Sequence, residues 1–228
     1  MTGPADKAKK SERKPPPGMA QRRATAQAEG TDAYQQRRAE ITRAAAQIFD
    51  RKGYQGTTIG AVADVLGADR ASLYYYISGK DELFDDVVRE VTETNVAAAV
   101  AIRDGDDPAP VKLRLMIEAL MTSYADTYPM LYIYMRENLT EAEGPRAGWS
   151  QYLRSMNKRY EDAVIDVVQQ GFNEGTLASA GSARLVALGI IGMVGWTNRW
   201  FSPERSPESQ HEVARAFADM VLGGLVHR

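Results

Sequence analysis

Between Asp69 and Lys80 the chain gathers Arg70, Ala71, Ser72, Tyr74, Tyr75, Tyr76 and Lys80. These are recognition chemistries rather than bond-breaking ones. The Arg70 guanidinium can bond guanine O6 and N7 together, Ser72 is a shorter reader, and the Ala71 methyl can meet the methyl of thymine. Tyr74, Tyr75, Tyr76 and Lys80 suit phosphate oxygens, which fix register on a duplex without reading its sequence. Tyr74 is equally suited to packing against a neighbouring helix. Upstream, Thr57 and Thr58 stand where a hydroxyl can cap a helix and also meet a phosphate at its positive end.

Catalytic chemistry has little to build on. The carboxylates Asp81, Glu82, Asp85, Asp86, Glu141 and Glu143 can be paired as acid and base on paper. They fall on an exposed helix start and a loop, where solvated charge is the default. No glycine-rich phosphate loop or nucleophile elbow accompanies them. The chain has no Cys, and its two His residues, His211 and His227, lie near the C-terminus. Neither a metal site nor a Ser-His-Asp triad is expected, and no cofactor.

The elements that must position the recognition set follow from Thr57 to Leu83. Ile59, Val62, Ala63 and Leu66 fall on one face of a helix. Gly67 comes next, where a short turn needs a residue that tolerates φ > 0. Asp69 is an N-cap for a second helix from Arg70 to about Ile77, which Leu73 and Ile77 anchor from one side. A preceding helix, from about Ala33 to Lys52, carries the stripe Ile41, Ala45, Ile48 and Phe49 and stops at Gly53. A following one starts near Lys80 and reaches about Arg103 through Leu83, Phe84, Val87, Val88 and Val91. The pattern is helix, turn, recognition helix.

The run from about Arg38 to Val91 resembles the N-terminal DNA-binding domain of the TetR family of bacterial transcriptional regulators. The matching residues are Ile41, Ala44, Ala45, Phe49, Gly53, Tyr54, Thr57 to Ile59, Val62, Ala63, Gly67, Leu73 to Tyr75, Lys80, Glu82 and Leu83. The resemblance makes Tyr75 and Lys80 the firmest phosphate contacts. Three positions depart from the family pattern. Tyr76 stands where it often has His, Ile77 where it usually has Phe, and Gly79 where it often has Ser. The first bears on a phosphate contact, the second is an apolar exchange, and the third weakens a helix cap modestly.

At 228 residues the chain can bury an ample core. Its net charge of −2 is unevenly spread: residues 1–43 hold ten Lys/Arg against five Asp/Glu. A basic arm ahead of an acidic body suits an anionic partner at one end. Residues 1–32 read as a disordered basic arm with Pro15-Pro16-Pro17-Gly18 inside it. Residues 33–90 read as the DNA-binding domain and 91–228 as an effector-binding and dimerisation domain, with the sharpest change of composition at Asp104 to Pro110. No stretch reaches the roughly 18–20 apolar residues of a membrane span. No apolar signal segment is visible. A cytoplasmic protein with no membrane partner is expected.

From Val111 onward the pattern stays helical, so the fold class is all-α. Helices are expected at about Val111 to Thr127, Pro129 to Leu139, Trp149 to Gly171, Ala183 to Phe201 and Ser206 to Gly223, with Glu141 to Gly148 a loop. From Leu185 to Trp200 apolar residues occupy most faces, and such a helix must be covered on all sides. The resemblance supplies the cover: the last two helices of each chain form a four-helix bundle with a second copy. Leu188, Ile191, Val213, Phe217, Met220 and Val221 are the expected interface, although a monomer can also bury such helices within itself. A two-fold DNA operator needs two reading heads, which favours the homodimer.

The C-terminal region resembles, more loosely, the branch of the same family that controls lipid and steroid breakdown and answers to acyl-CoA thioesters. The segments that carry this are Ile133 to Glu137, Gln170 to Gly175 and Trp196 to Phe201. Met121, Tyr124, Tyr134, Met135, Met193, Trp196 and Trp200 offer a soft apolar lining, and Arg199 can hold an anion. Taken singly, Met and aromatic residues at helical spacing are equally core. The implied function is a repressor released from DNA by a small amphipathic effector such as an acyl-CoA or a fatty or steroid acid. The alternatives are release by diverse drugs, or no effector at all.

Overall fold

The computed structural model describes residues 30–128, 147–179 and 181–225. Every regular element among them is helical: α1 (Asp32–Gly56), α2 (Ile59–Val65), α3 (Arg70–Leu73), α4 (Lys80–Asp104), α5 (Ala109–Asp126), α6 (Ala147–Glu174), α7 (Ala183–Gly195), a 3-10 turn (Trp196–Arg199) and α8 (Gln210–Leu225). The expected helix from Pro129 to Leu139, the N-terminal arm up to residue 29, and Tyr134 and Met135 lie outside the described residues.

The N-terminal unit is built as its apolar pattern requires. Thr31 caps α1, its hydroxyl accepting from Tyr34 N, and Ile41, Ala45, Ile48 and Phe49 are buried along one stripe. At Gly53 the backbone swings to φ 66° and ψ 174°, which breaks the helix where the glycine predicts. Ile59, Val62 and Ala63 of α2 and Leu73 and Ile77 beyond it pack on that stripe, as do Leu83, Phe84, Val87 and Val88 of α4. Phe49, Tyr54 and Phe84 form an aromatic knot, with ring centroids 5.0–6.0 Å apart.

α4 is one unbroken helix, so the expected boundary between residues 90 and 91 falls inside it. It packs on α1, α5 and α6. One rigid rod therefore serves both units. The core continues without a gap through Leu113, Ile117, Met121, Val164, Val167, Val168, Ala187 and Val194. The glycines of the Gln170–Gly175 segment have a packing reason. A Cβ on Gly171 would sit 2.4 Å from Leu177 Cδ1 and 3.1 Å from Ala109 Cβ. Gly175, at φ 67°, lets the chain leave α6.

Two helices differ from expectation. The recognition helix is a single turn, Arg70–Leu73, after which Tyr75 N and Tyr76 N bond back to Ser72 O and Leu73 O. These tighter i to i+3 bonds close the helix while Ile77 still reaches the core. α7 likewise stops at Gly195 and tightens into the 3-10 turn instead of running on to Phe201.

Candidate nucleic-acid interface and ligand cavity

The helix-turn-helix forms as its sequence implies. Thr58 caps α2, its hydroxyl accepting from Ala61 N, and Gly67 takes φ 58° in the turn. Asp69 caps α3 by accepting from Ala71 N at 3.0 Å. Arg70, Ala71 and Ser72 are left exposed on the first turn of α3, the end that enters a major groove in such motifs. Thr58 is exposed beside them.

The remaining candidates divide. Tyr75 and Tyr76 are half-buried; they pack edge-on at 5.0 Å, and the Tyr34 ring lies on both. Lys80 donates to Tyr54 O at 3.1 Å and lies 4.3 Å from the Tyr54 ring centroid, which holds its ammonium at the mouth of the aromatic knot. Two expected contacts are corrected. Thr57 is buried, and its hydroxyl donates to Gly53 O at 2.8 Å, so it closes the α1 break rather than facing solvent. Tyr74 is buried too; its ring belongs to the core, and its hydroxyl accepts from Arg70 Nη2 at 3.1 Å. Tyr74 therefore braces the Arg70 side chain rather than standing free to meet a phosphate.

Arg38, counted by sequence among the charges of the basic arm, is an internal clamp. Its guanidinium donates to Tyr76 O at 3.1 Å, to Glu82 at 2.9 Å and to Asp86 at 2.5 Å. One side chain thus ties α1 to the segment after the recognition helix and to α4. Burial would lower the Arg38 pKa, but Asp86 and Glu82 outweigh it and raise it. The two carboxylates shift oppositely. Burial would raise Glu82, yet the Ser78 hydroxyl and N–H, together with Arg38, hold it below its ordinary value. Asp86 has no such extra donors, and burial, only partly offset by Arg38, pushes it up. The signal was available: Arg38 falls on the same helical stripe as Ile41, Ala45 and Ile48, where an exposed charge would not.

A cavity of about 540 Å³ opens between α1, α4, α5 and α6. That is within the range that takes a small-molecule ligand. Val87, Val91, Ala98, Ala99, Ile102, Met116 and Leu120 supply apolar wall, and Arg43, Gln47, Glu90, Thr94 and Asp126 supply exposed polar groups. From Val87 to Ile102 it follows α4 for about 22 Å at helical rise. Arg43 and Gln47 come from α1, so the DNA-reading unit itself forms part of the wall.

None of the described residues expected to line an effector site lines this cavity. Met121 and Tyr124 are buried in the core, while Leu120 and Ser123 line the cavity. Met193 is half-buried on α7. Trp196 and Trp200 are 62% and 46% exposed on the outer side of the fold. Arg199 does meet Trp196, 5.5 Å from its ring, but at the surface. The cavity residues leave little trace in the sequence: Arg43 and Gln47 fall outside the apolar stripe of α1, and alanines and threonines carry no periodic signal.

α7 and α8 leave an apolar face open. Leu185, Gly189 and Gly192 share one exposed stripe of α7, which exposed Trp196 extends into the 3-10 turn, and a Cβ on either glycine would meet nothing within 4 Å. Met220 of α8 is 65% exposed. Of the expected interface residues, Ile191, Phe217 and Val221 are half-buried against the chain's own core, and Leu188 is half-buried. Val213 is corrected: at 5% exposure it is interior to the protomer. Among the described residues no helix is long and apolar enough to cross a membrane.

Comparison with known proteins places these units. Residues 41–87 match the model of bacterial regulatory proteins of the tetR family, and residues 106–225 match a tetracyclin repressor-like C-terminal domain. The HTH-type transcriptional repressor KstR2 of Mycobacterium tuberculosis is 27% identical over 189 residues, covering 83% of this chain and 92% of its own. The solved structure of KstR2, a ketosteroid transcriptional regulator, superposes with a TM-score of 0.68 at 26% identity, over 84% of this chain and 96% of its own. PfmR from Thermus thermophilus, a TetR family regulator, gives 0.67 at 26% identity, over 82% and 99%.

Proposed function

The chain belongs to the TetR family, and from that premise we propose that it is a dimeric repressor of transcription released from its operator by a small amphipathic effector. Arg70, Ala71 and Ser72 read base edges from α3. Thr58, Tyr75, Tyr76 and Lys80 hold phosphates. Relatives named as repressors support the direction of control. The exposed stripe of α7 and Met220 of α8 support a partner copy, with glycines that let two helices approach closely. Two heads then meet successive major grooves about 34–36 Å apart.

The observation that carries the ligand response is the shared wall. α1 and α4 hold the reading head at one end and bound the cavity at the other. An occupant that fits one spacing of these helices better than the other shifts the balance between them, by no more than its difference in affinity for the two. The cavity, rather than the Trp196–Arg199 surface, is the effector site in this reading.

The test starts by enriching duplexes from a random-sequence pool on the purified chain. A two-fold site bound by two copies is expected, by footprinting and sedimentation. Decanoate, lauroyl-CoA, a ring-bearing carboxylic acid and a cationic drug are then titrated into the complex. The proposal fails if no sequence is enriched, if one copy binds an asymmetric site, or if only the cationic drug releases the DNA.

A further inference from the structure

Of the polar groups that line the cavity, one comes from α6. Tyr160, on the α6 wall, lines it beside Met116 and Leu120. Its hydroxyl makes no hydrogen bond among the described residues, whereas Tyr34, Tyr54, Tyr74 and Tyr152 all use theirs. Tyr160 is only half-buried, so this unpaired hydroxyl is open to an occupant of the cavity.

The surroundings define what the hydroxyl can do. Burial, with Tyr124 adding to it, pushes the phenol well above its ordinary range, so it keeps its proton throughout the physiological span. It is therefore a standing donor. Nearby wall is apolar, while the charged groups Arg43, Glu90 and Asp126 project from other helices that bound the cavity. None of these three forms an ion pair among the described residues.

We infer that the cavity takes a molecule with an apolar body and a carbonyl oxygen, and that the Tyr160 hydroxyl donates to that oxygen. This rests on the cavity being the effector site. The apolar body lies along the Val91, Ala98, Ala99 and Leu120 wall, which accounts for the small side chains there. The carbonyl sets which way round the body lies, and so which end meets Arg43 and Gln47 on α1. A hydrocarbon of the same shape enters but is not oriented.

The test uses the full-length protein and displacement of the fluorescent probe N-phenylnaphthylamine. Biphenyl and acetylbiphenyl share a body and differ by one ketone. Acetylbiphenyl should bind wild type about tenfold more tightly than biphenyl, the worth of one neutral hydrogen bond in a site of low polarity. In Tyr160→Phe, which removes no protein contact of the hydroxyl, biphenyl should bind as before and the ketone's advantage should vanish. Circular dichroism and sedimentation check that the variant is folded as wild type is. If the advantage survives in Tyr160→Phe, or is absent from wild type, the inference is overturned while the cavity stands as a ligand site. If neither compound nor probe binds, or both bind equally after Val91→Trp and Ala98→Trp fill the cavity, the effector reading falls and takes this inference with it.

Discussion

Arg38 of α1 donates to Asp86 of α4 at 2.5 Å, and the same guanidinium reaches Tyr76 O at 3.1 Å. Both ends of the pair are largely covered, with side chains 16% and 17% exposed. The recognition segment therefore owes its angle to a charge placed on an otherwise apolar stripe. Arg38→Ala leaves two carboxylates without their cation and should cost about 2–3 kcal/mol of stability, below the figure for a fully buried pair because some solvent reaches it. Urea denaturation measures the loss. Enriched duplex should bind the variant more weakly with an unchanged salt dependence, since no phosphate contact is removed.

The opposite shifts of Glu82 and Asp86 predict opposite pH behaviour. Glu82 is held below its ordinary value, so its contribution is present at neutral pH and is lost as pH falls through the carboxylate range. Asp86 is raised, so the folded state holds its proton more tightly than the unfolded one. Stability from that group falls as pH rises from its unfolded value through its folded one. Glu82→Gln should lower stability at pH 7 and flatten the acid-side loss. Asp86→Asn should be near neutral or mildly stabilising at pH 7, and should remove the fall with rising pH. Thermal melts from pH 3 to pH 8 read both.

At the DNA interface, Arg70→Ala should cost about 1–3 kcal/mol and relax preference at one position in each half-site. Binding to a set of singly substituted duplexes checks this; unchanged preference would remove Arg70 as a base reader. Lys80→Ala should weaken all sequences alike and reduce the salt slope by about one.

For the dimer, Gly189→Leu and Gly192→Leu are sharper than a change at Phe217, whose ring packs on Trp200 and the chain's own core. Either glycine has open space at Cβ, so the protomer accommodates the new side chain and gains helix propensity. Sedimentation should show folded monomer or a weakened dimer. A fully folded dimer of unchanged affinity would place the interface elsewhere.

Gly171→Ala probes the α6 turn. The new Cβ would lie 2.6 Å from Leu177 Cγ, too close for a rotamer change alone to relieve. Overpacking of this kind should cost about 1–3 kcal/mol in urea denaturation.

The sequence by itself determined the helix-turn-helix and its order in the chain. Ile41, Ala45 and Phe49 repeat at helical spacing, Gly53 and Gly67 stand where φ must be positive, and Asp69 and Thr58 are capping residues. All of these are local rules, satisfied within a few positions. Tertiary structure decided what local rules do not reach. Thr57 and Thr58 are chemically alike, yet one hydroxyl turns inward to Gly53 O and the other caps α2 in solvent. Arg38 carries the same charge as Arg37, but only the packing of α4 against α1 makes it a clamp. Met121 and Leu120 are adjacent and both apolar; the neighbouring helices assign one to the core and the other to the cavity wall. The cavity belongs to four helices distant in sequence, and an empty volume has no signature along a chain. Its position follows from how α1, α4, α5 and α6 fail to fill the space between them.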